Sequence, residues 1–89
     1  MPYFTLTYQV VPDYLERRAP LRKRHLAHVS GFRESGQLVL AGAYEDIRDG
    51  ALLIFDAPNE ETVAAFAKTD PYVEAGLVTE WVVRRWMVV

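Results

Sequence analysis

Two histidines, His25 and His28, lie three residues apart in this chain of 89 residues, and they are the first place to look for proton chemistry. Imidazole alone among side chains titrates near neutrality without help, so His25 is a candidate general base or acid. Arg22 stands one helical turn before it and Val29 one turn after, which puts the ring where an apolar stripe meets a cationic side. From that position alone it reads first as a boundary histidine making one hydrogen bond at the edge of a cleft. His28 shares one side of the helix with it, and with a carboxylate the pair would begin a metal site. The sequence defines no third ligand, and no metal is expected. Asp70 precedes Pro71, a setting in which aspartate accepts backbone N–H groups at a helix start. Its chemical alternative is to orient His25, fixing the tautomer and stabilising the imidazolium.

Other candidates carry less. Arg17, Arg18, Arg22, Lys23 and Arg24 form a basic run, and most such runs are solvated faces. Arg22, on the His25 side, is the member suited to a carboxylate or phenolate, because a forked guanidinium matches such groups. Ser30 and Ser35 lack a nucleophile-elbow context, and no glycine-rich phosphate loop is present. Trp81 and Trp86 read as core or interface aromatics. Pro2 would become a secondary amine at the head of a strand if Met1 were removed, as in tautomerase-type small proteins. That leaves a minor enzyme alternative, since the basic residues cluster near His25 and not near the start.

Composition narrows the chemistry further. Cysteine is absent, which removes disulfides, thiolate nucleophiles and cysteine-ligated metal sites. Ten Lys and Arg against twelve Asp and Glu give a net charge of −2, the wrong overall sign for a protein that neutralises phosphates, so no nucleic acid partner is expected. No apolar run approaches the ~20 residues of a membrane span and no export signal is recognised, which makes a cytoplasmic protein without a membrane partner the expectation.

The elements that must position these residues follow from periodicity. Tyr3 to Val11 alternates as a strand and Pro12 stops it. Asp13 and Glu16 resemble a capping pair for a short helical turn over 13–19. A longer helix starts at Pro20, carries Arg22, His25, Leu26, Val29, Phe32 and Arg33 on one stripe, and ends at Gly36. Leu38–Tyr44 and Ala51–Phe55 form a hairpin around Asp49-Gly50. The second of these does not alternate, which implies burial on both sheet faces. Asn59 caps a helix presenting Val63, Phe66 and Ala67, Asp70-Pro71 ends it and opens a turn through Glu74, and Leu77–Val89 is the last strand.

The order is strand, helix, strand, strand, helix, strand over one domain, 1–89: a ferredoxin-like βαββαβ α+β fold with a four-stranded antiparallel sheet. Two helices cover one side of that sheet. An exposed apolar second face exceeds what a soluble monomer tolerates, so a sheet-to-sheet homodimer is expected, with higher assembly open.

Taken together, Arg22-x-x-His25-Leu26, Leu40-Ala41-Gly42, Asp49-Gly50 before Leu52-Leu53-Ile54-Phe55, Asp70-Pro71-Tyr72 with Ala75-Gly76-Leu77, and Val83-x-x-Trp86 resemble the YciI-like, or YCII-related, family over essentially the whole chain. The resemblance implies a dimeric α+β barrel and a catalytic pair corresponding to His25 and Asp70, which reverses the order of readings for both residues. Ala43 stands where many relatives have proline, a departure that bears on pocket shape. One branch of the family is linked to dehydrochlorination of chlorinated hydroxyquinols, although one fold hosts many chemistries. The expectation is therefore a small enzyme without a cofactor, acting by His25 and Asp70 on a small anionic or phenolic molecule in a lyase, dehydrochlorinase or isomerase step. Arg22 would bind the anionic group and Tyr72 would line the pocket or donate its phenol. The alternative from another class is a non-catalytic module that binds a small molecule or serves a partner enzyme.

Overall fold

The computed structural model describes residues 2–89; Met1, whose removal the amino-terminal proline reading requires, lies outside them. Eight elements follow in order: β1 (Tyr3–Val10), α1 (Tyr14–Arg18), α2 (Arg22–Glu34), β2 (Leu38–Ala43), β3 (Ala51–Asp56), α3 (Glu60–Thr69), α4 (Pro71–Glu74) and β4 (Val78–Trp86). The strands form one antiparallel sheet in the order β2-β3-β1-β4, the ferredoxin-like arrangement expected from the element order.

Alternation on β1 sends Phe4, Leu6 and Tyr8 into the core beneath the helices, while Tyr3, Thr5 and Thr7 point to the other face and stay half-buried. On β3, Leu53 and Phe55 join the core, and Leu52 and Ile54 are half-buried on the opposite face. The second cover that this continuously apolar strand calls for is therefore not supplied within one chain. Leu40, Val82 and Trp86 are exposed, and cross-strand pairing places them with Leu52 and Ile54 on the uncovered face.

The helices follow their signals with three corrections. Asp13 makes no side-chain cap to α1; its carboxylate instead lies 3.8 Å from Arg17. Ala19–Leu21, with Pro20 inside, is a tight 3₁₀ turn, and α2 proper begins at Arg22. On α2 the half-buried His28 joins the inward side beside the expected stripe, while Leu26, at the cavity's wall, stays exposed. The C-terminus of α2 is as expected. Gly36 has φ +84°, its N–H donates to Arg33 O and the Gln37 N–H to Phe32 O, the paired bonds of a left-handed helix stop. Asn59 accepts from the Thr62 N–H at 3.0 Å, and Val63, Phe66 and Ala67 are buried under α3.

β4 ends at Trp86 and not at Val89. Tyr3 is the first residue of β1 and, the strands being antiparallel, pairs with Trp86, so Met87, Val88 and Val89 have no residue of β1 to continue against and are exposed. A register shift between Leu38 and Leu40 inserts one residue into β2. It turns Leu40 to the uncovered face and brings Ala41 and Ala43, opposite Leu53 and Ala51, to the helix side. Small side chains thus stand beneath α2 where a leucine would otherwise fill the space.

Candidate active site

Those alanines form the floor of a cavity of about 220 Å³ between α2 and the β2–β3–β1 half of the sheet. Its walls are Tyr14 and Arg18 of α1, then Arg22, His25, Leu26, Val29 and Arg33 of α2, with Tyr8 and Leu53 from the strands. Ala43 lines it as well.

His25 is held from behind. Its Nδ1 lies 2.8 Å from Asp70 Oδ1, with the aspartate 0% exposed and the histidine side chain 15% exposed. The same Oδ1 accepts the Tyr72 backbone N–H at 3.0 Å, and Oδ2 accepts the Tyr8 hydroxyl at 2.8 Å. Asp70 therefore does both things its sequence position suggests, capping α4 and engaging His25. A buried carboxylate needs this many donors to offset its lost hydration. The network closes with the hydrogen assigned to His25 Nδ1, which leaves the Nε2 lone pair as the ring's available acceptor. No side chain among the described residues makes a hydrogen bond to that nitrogen.

Aromatic rings fix the histidine further. Tyr72 stacks flat on it, with centroids 3.8 Å apart and planes 7° from parallel, and Tyr14 meets the Tyr72 ring edge-on at 5.5 Å. Burial, then the Asp70 charge, pushes the Tyr8 phenol far above its ordinary range, so it remains a hydrogen-bond donor across the working pH range. Burial also raises the Tyr14 phenol, opposed by Arg18, whose guanidinium carbon sits 5.4 Å from the ring centre.

His28 has a different task. Its Nε2 lies 2.9 Å from the Phe66 carbonyl, in the last turn of α3. The Asp70 N–H bonds Ala67 O, so His28 serves a carbonyl that the helix end leaves open. The two histidines thus tie α2 to successive points at the end of α3. Among the described residues no group of three or more His, Asp or Glu side chains converges where a metal ion could sit.

Residues 1–87 match the YCII-related domain. The chain belongs to that family. Among its YCII-related relatives, an uncharacterised protein of Haemophilus influenzae is 30% identical over 91 residues, covering 92% of this chain and 93% of that one. Protein YciI of Escherichia coli O6:H1 is 34% identical over 74 residues, covering 73% and 76%. Among solved structures, 5-chloro-2-hydroxyhydroquinone dehydrochlorinase (TftG) from Burkholderia phenoliruptrix AC1100, in complex with 2,5-dihydroxybenzoquinone, superposes with a TM-score of 0.80 at 26% identity, over 96% of this chain and 93% of that one. An antibiotic biosynthesis monooxygenase shares the fold at a TM-score of 0.63 and 13% identity. Among the described residues of this YCII-related chain, no helix is long and apolar enough to cross a membrane.

Of the residues singled out from sequence, the fold brings His25, Asp70, Arg22 and Tyr72 into one neighbourhood. Tyr72 does not line the cavity. At 1% exposure it stands behind His25 as a stacking platform, and its hydroxyl is buried without a hydrogen-bond partner among the described residues. Within the basic run, Arg18 and Arg22 face the cavity, whereas Arg17 faces Asp13 and reaches the Ala75 carbonyl at 3.5 Å. Pro2 is outside the lining of this cavity, some 20 Å along β1 from Tyr8 at ~3.3 Å per residue, so an amino-terminal proline would not act in the site of His25. Sequence reasoning gave no site role to Tyr8 or Tyr14, and left Arg18 in the basic run and Arg33 on the helix stripe without one. For Tyr8 a signal existed: it continues the inward alternation of Phe4 and Leu6, and a buried tyrosine hydroxyl calls for a partner.

Proposed function

We propose that this YCII-related protein, one domain over 1–89, is a small cytoplasmic enzyme that moves a proton on a small anionic or phenolic molecule without a cofactor. The observation that carries this reading is the buried Tyr8–Asp70–His25 chain ending at a cavity rimmed by arginines. In the proposed step His25 Nε2 takes a proton from an O–H or C–H of the substrate, and Asp70 stabilises the imidazolium. Arg22 holds the anionic group and stabilises charge that develops as the proton leaves. In an elimination the electron pair of the broken bond forms the new double bond, and the leaving group departs with its own pair. In an isomerisation His25 returns the proton to another atom. The likeness to TftG, a dehydrochlorinase captured with a hydroxylated quinone, supports a phenolic substrate. Tyr8 is a positioning residue here, since its hydrogen is committed to Asp70.

We further propose that two chains pack sheet to sheet, covering Leu40, Leu52, Ile54, Val82 and Trp86. The cavity opens on the opposite, helix side of the sheet, so the site does not depend on that contact for its walls.

The test is chloride release from 5-chloro-2-hydroxyhydroquinone and turnover across a panel of phenolic acids, comparing wild type with His25→Asn. A loss of ~100-fold or more with the fold retained is expected for a general base. Saturable binding with no product from any member of the panel would assign the cavity to the non-catalytic, small-molecule-binding class instead.

A further inference from the structure

Arg24, Arg84 and Arg85 lie outside the cavity lining, and the other five arginines divide by surroundings. Arg17 and Arg48 pair with Asp13 and Asp46, at 3.8 and 2.7 Å. Arg18, Arg22 and Arg33 line the cavity, none has a carboxylate within ion-pair distance among the described residues, and no carboxylate lines the cavity with them. Asp70 stands behind His25, its charge already taken up by Tyr8, His25 and the Tyr72 N–H. A cavity with three guanidiniums and no facing acid has an unmatched positive field, which an anionic ligand neutralises.

The three cations are not gathered at one point. Arg22, Leu26, Val29 and Arg33 recur at spacings of four, three and four, and so form one stripe along α2 facing the cavity. At 1.5 Å per residue, Arg22 and Arg33 are separated by about 16 Å along the axis, with His25 about 4.5 Å from the first and about 12 Å from the second. Arg18 comes from α1 and stands at the Arg22 end. The attraction of a helix C-terminus for cations accounts for an arginine at position 33, but not for its lining the cavity. Between the two cationic ends the floor is Ala41, Ala43 and Ala51, and the apolar walls are Leu26, Val29 and Leu53.

We infer that the substrate is a dianion with its acidic groups at opposite ends of a compact framework, one held by Arg18 and Arg22 beside His25, the other by Arg33. This rests on the proposed function and deepens it by naming the substrate class. The proton taken by His25 lies next to the first acidic group, and Arg33 supplies remote binding that selects among anions. The volume between the ends suits a single ring, and flexible arginine side chains close the remaining distance.

The probes are benzoate, phthalate and terephthalate, which are one monoanion and two dianions of equal charge whose groups are adjacent or opposed. Their dissociation constants are measured by NMR titration of the folded protein at fixed ionic strength, for wild type, Arg22→Gln and Arg33→Gln. Terephthalate is expected to bind at least ~10-fold more tightly than phthalate or benzoate. Arg33→Gln should erase that advantage while leaving benzoate within twofold, and Arg22→Gln should weaken all three. Equal binding of phthalate and terephthalate, or an advantage that survives Arg33→Gln, overturns the two-ended assignment while leaving an anion site at Arg22 standing. Absence of saturable binding by all three overturns the assignment together with the anion-binding part of the proposed function.

Discussion

Tyr8 and Tyr72 each bury a hydroxyl, the first against Asp70 and the second without a hydrogen-bond partner among the described residues, and the structure gives the two opposite energetic signs. Tyr8 donates to Asp70 Oδ2 at 2.8 Å, so Tyr8→Phe leaves a fully buried carboxylate oxygen without that donor. Stranding a buried acceptor costs about 1–3 kcal/mol, and the charge on Asp70 puts this case toward the upper end. For a domain of this size each kcal/mol moves the melting temperature by about 4–8 °C, so a drop on the order of 10–20 °C is expected. Tyr72 carries a hydroxyl with no hydrogen-bond partner among the described residues. Tyr72→Phe removes a group already desolvated without compensation, while its ring stays stacked on His25 and its backbone N–H still reaches Asp70. The expected change is between zero and about 1 kcal/mol of added stability. Urea denaturation followed by circular dichroism at one fixed protein concentration, pH 7, measures both; fixing the concentration holds the mass-action contribution of association equal between variants of equal association affinity. A Tyr72→Phe variant as damaged as Tyr8→Phe, or a neutral Tyr8→Phe, would refute the hydrogen-bond assignment around Asp70. The same pair separates two roles in turnover: Tyr72→Phe should keep activity within a few-fold, since its phenol does not line the cavity, and a 100-fold loss would restore it as a proton donor.

Three further perturbations probe other parts of the structure. Gly50 has φ +90° and a Cβ there would strike the backbone carbonyl of Tyr8, so Gly50→Ala should cost more than about 1–2 kcal/mol in urea denaturation; a cost below 0.5 kcal/mol would show that the β2–β3 connection does not press on β1. Burial raises the Tyr8 and Tyr14 phenols above the ordinary value of 10.0 in the folded state, so above about pH 10 the unfolded chain releases protons that the folded one keeps, and stability falls as pH rises. Each phenol contributes a slope of at most about 1.4 kcal/mol per pH unit, and Tyr8→Phe should remove one such contribution; an unchanged alkaline slope counts against the burial of that hydroxyl. Leu40 is 61% exposed on the uncovered face, so Leu40→Asp should spare the fold while halving the mass seen in sedimentation equilibrium; a wild-type protein that already sediments as one chain removes the sheet-to-sheet dimer.

Much of the fold was legible because the strongest signals were local. Alternation along Phe4, Leu6 and Tyr8, the Asn59 cap and the glycine stop at Gly36 each depend on neighbours in sequence, and each appears where periodicity places it. What failed depended on distant partners. Residues 87–89 have the β-branched character of a strand, yet β1 runs out at Tyr3 and leaves them unpaired. His28 is drawn inward by the Phe66 carbonyl, 38 positions away, a partner that the periodicity of α2 does not reveal. The register shift at Leu38/Leu40 leaves no mark on composition, although it decides which side chains floor the cavity.

The site shows the same division, and Asp70 explains why its two readings from sequence were never rivals. A cap needs a short acidic side chain directed at the first N–H groups of α4, and that direction fixes Oδ1 between the Tyr72 N–H and whatever packs against the turn. Because α2 crosses at that point, with His28 tied to the adjacent end of α3, the nearest side chain on its inward face is His25. The charge that caps the helix is therefore the charge that holds the imidazole, and Tyr8 shares its cost by occupying the second oxygen. Positioning the histidine requires little machinery beyond what the end of α3 already demands for folding. The consequence is that Asp70 cannot be tested by activity alone. Asp70→Ala would remove cap, orienting group and burial partner together, whereas Tyr8→Phe and Tyr72→Phe perturb one hydroxyl each and leave the cap intact, so that a change in turnover can be assigned to the chain of donors behind His25.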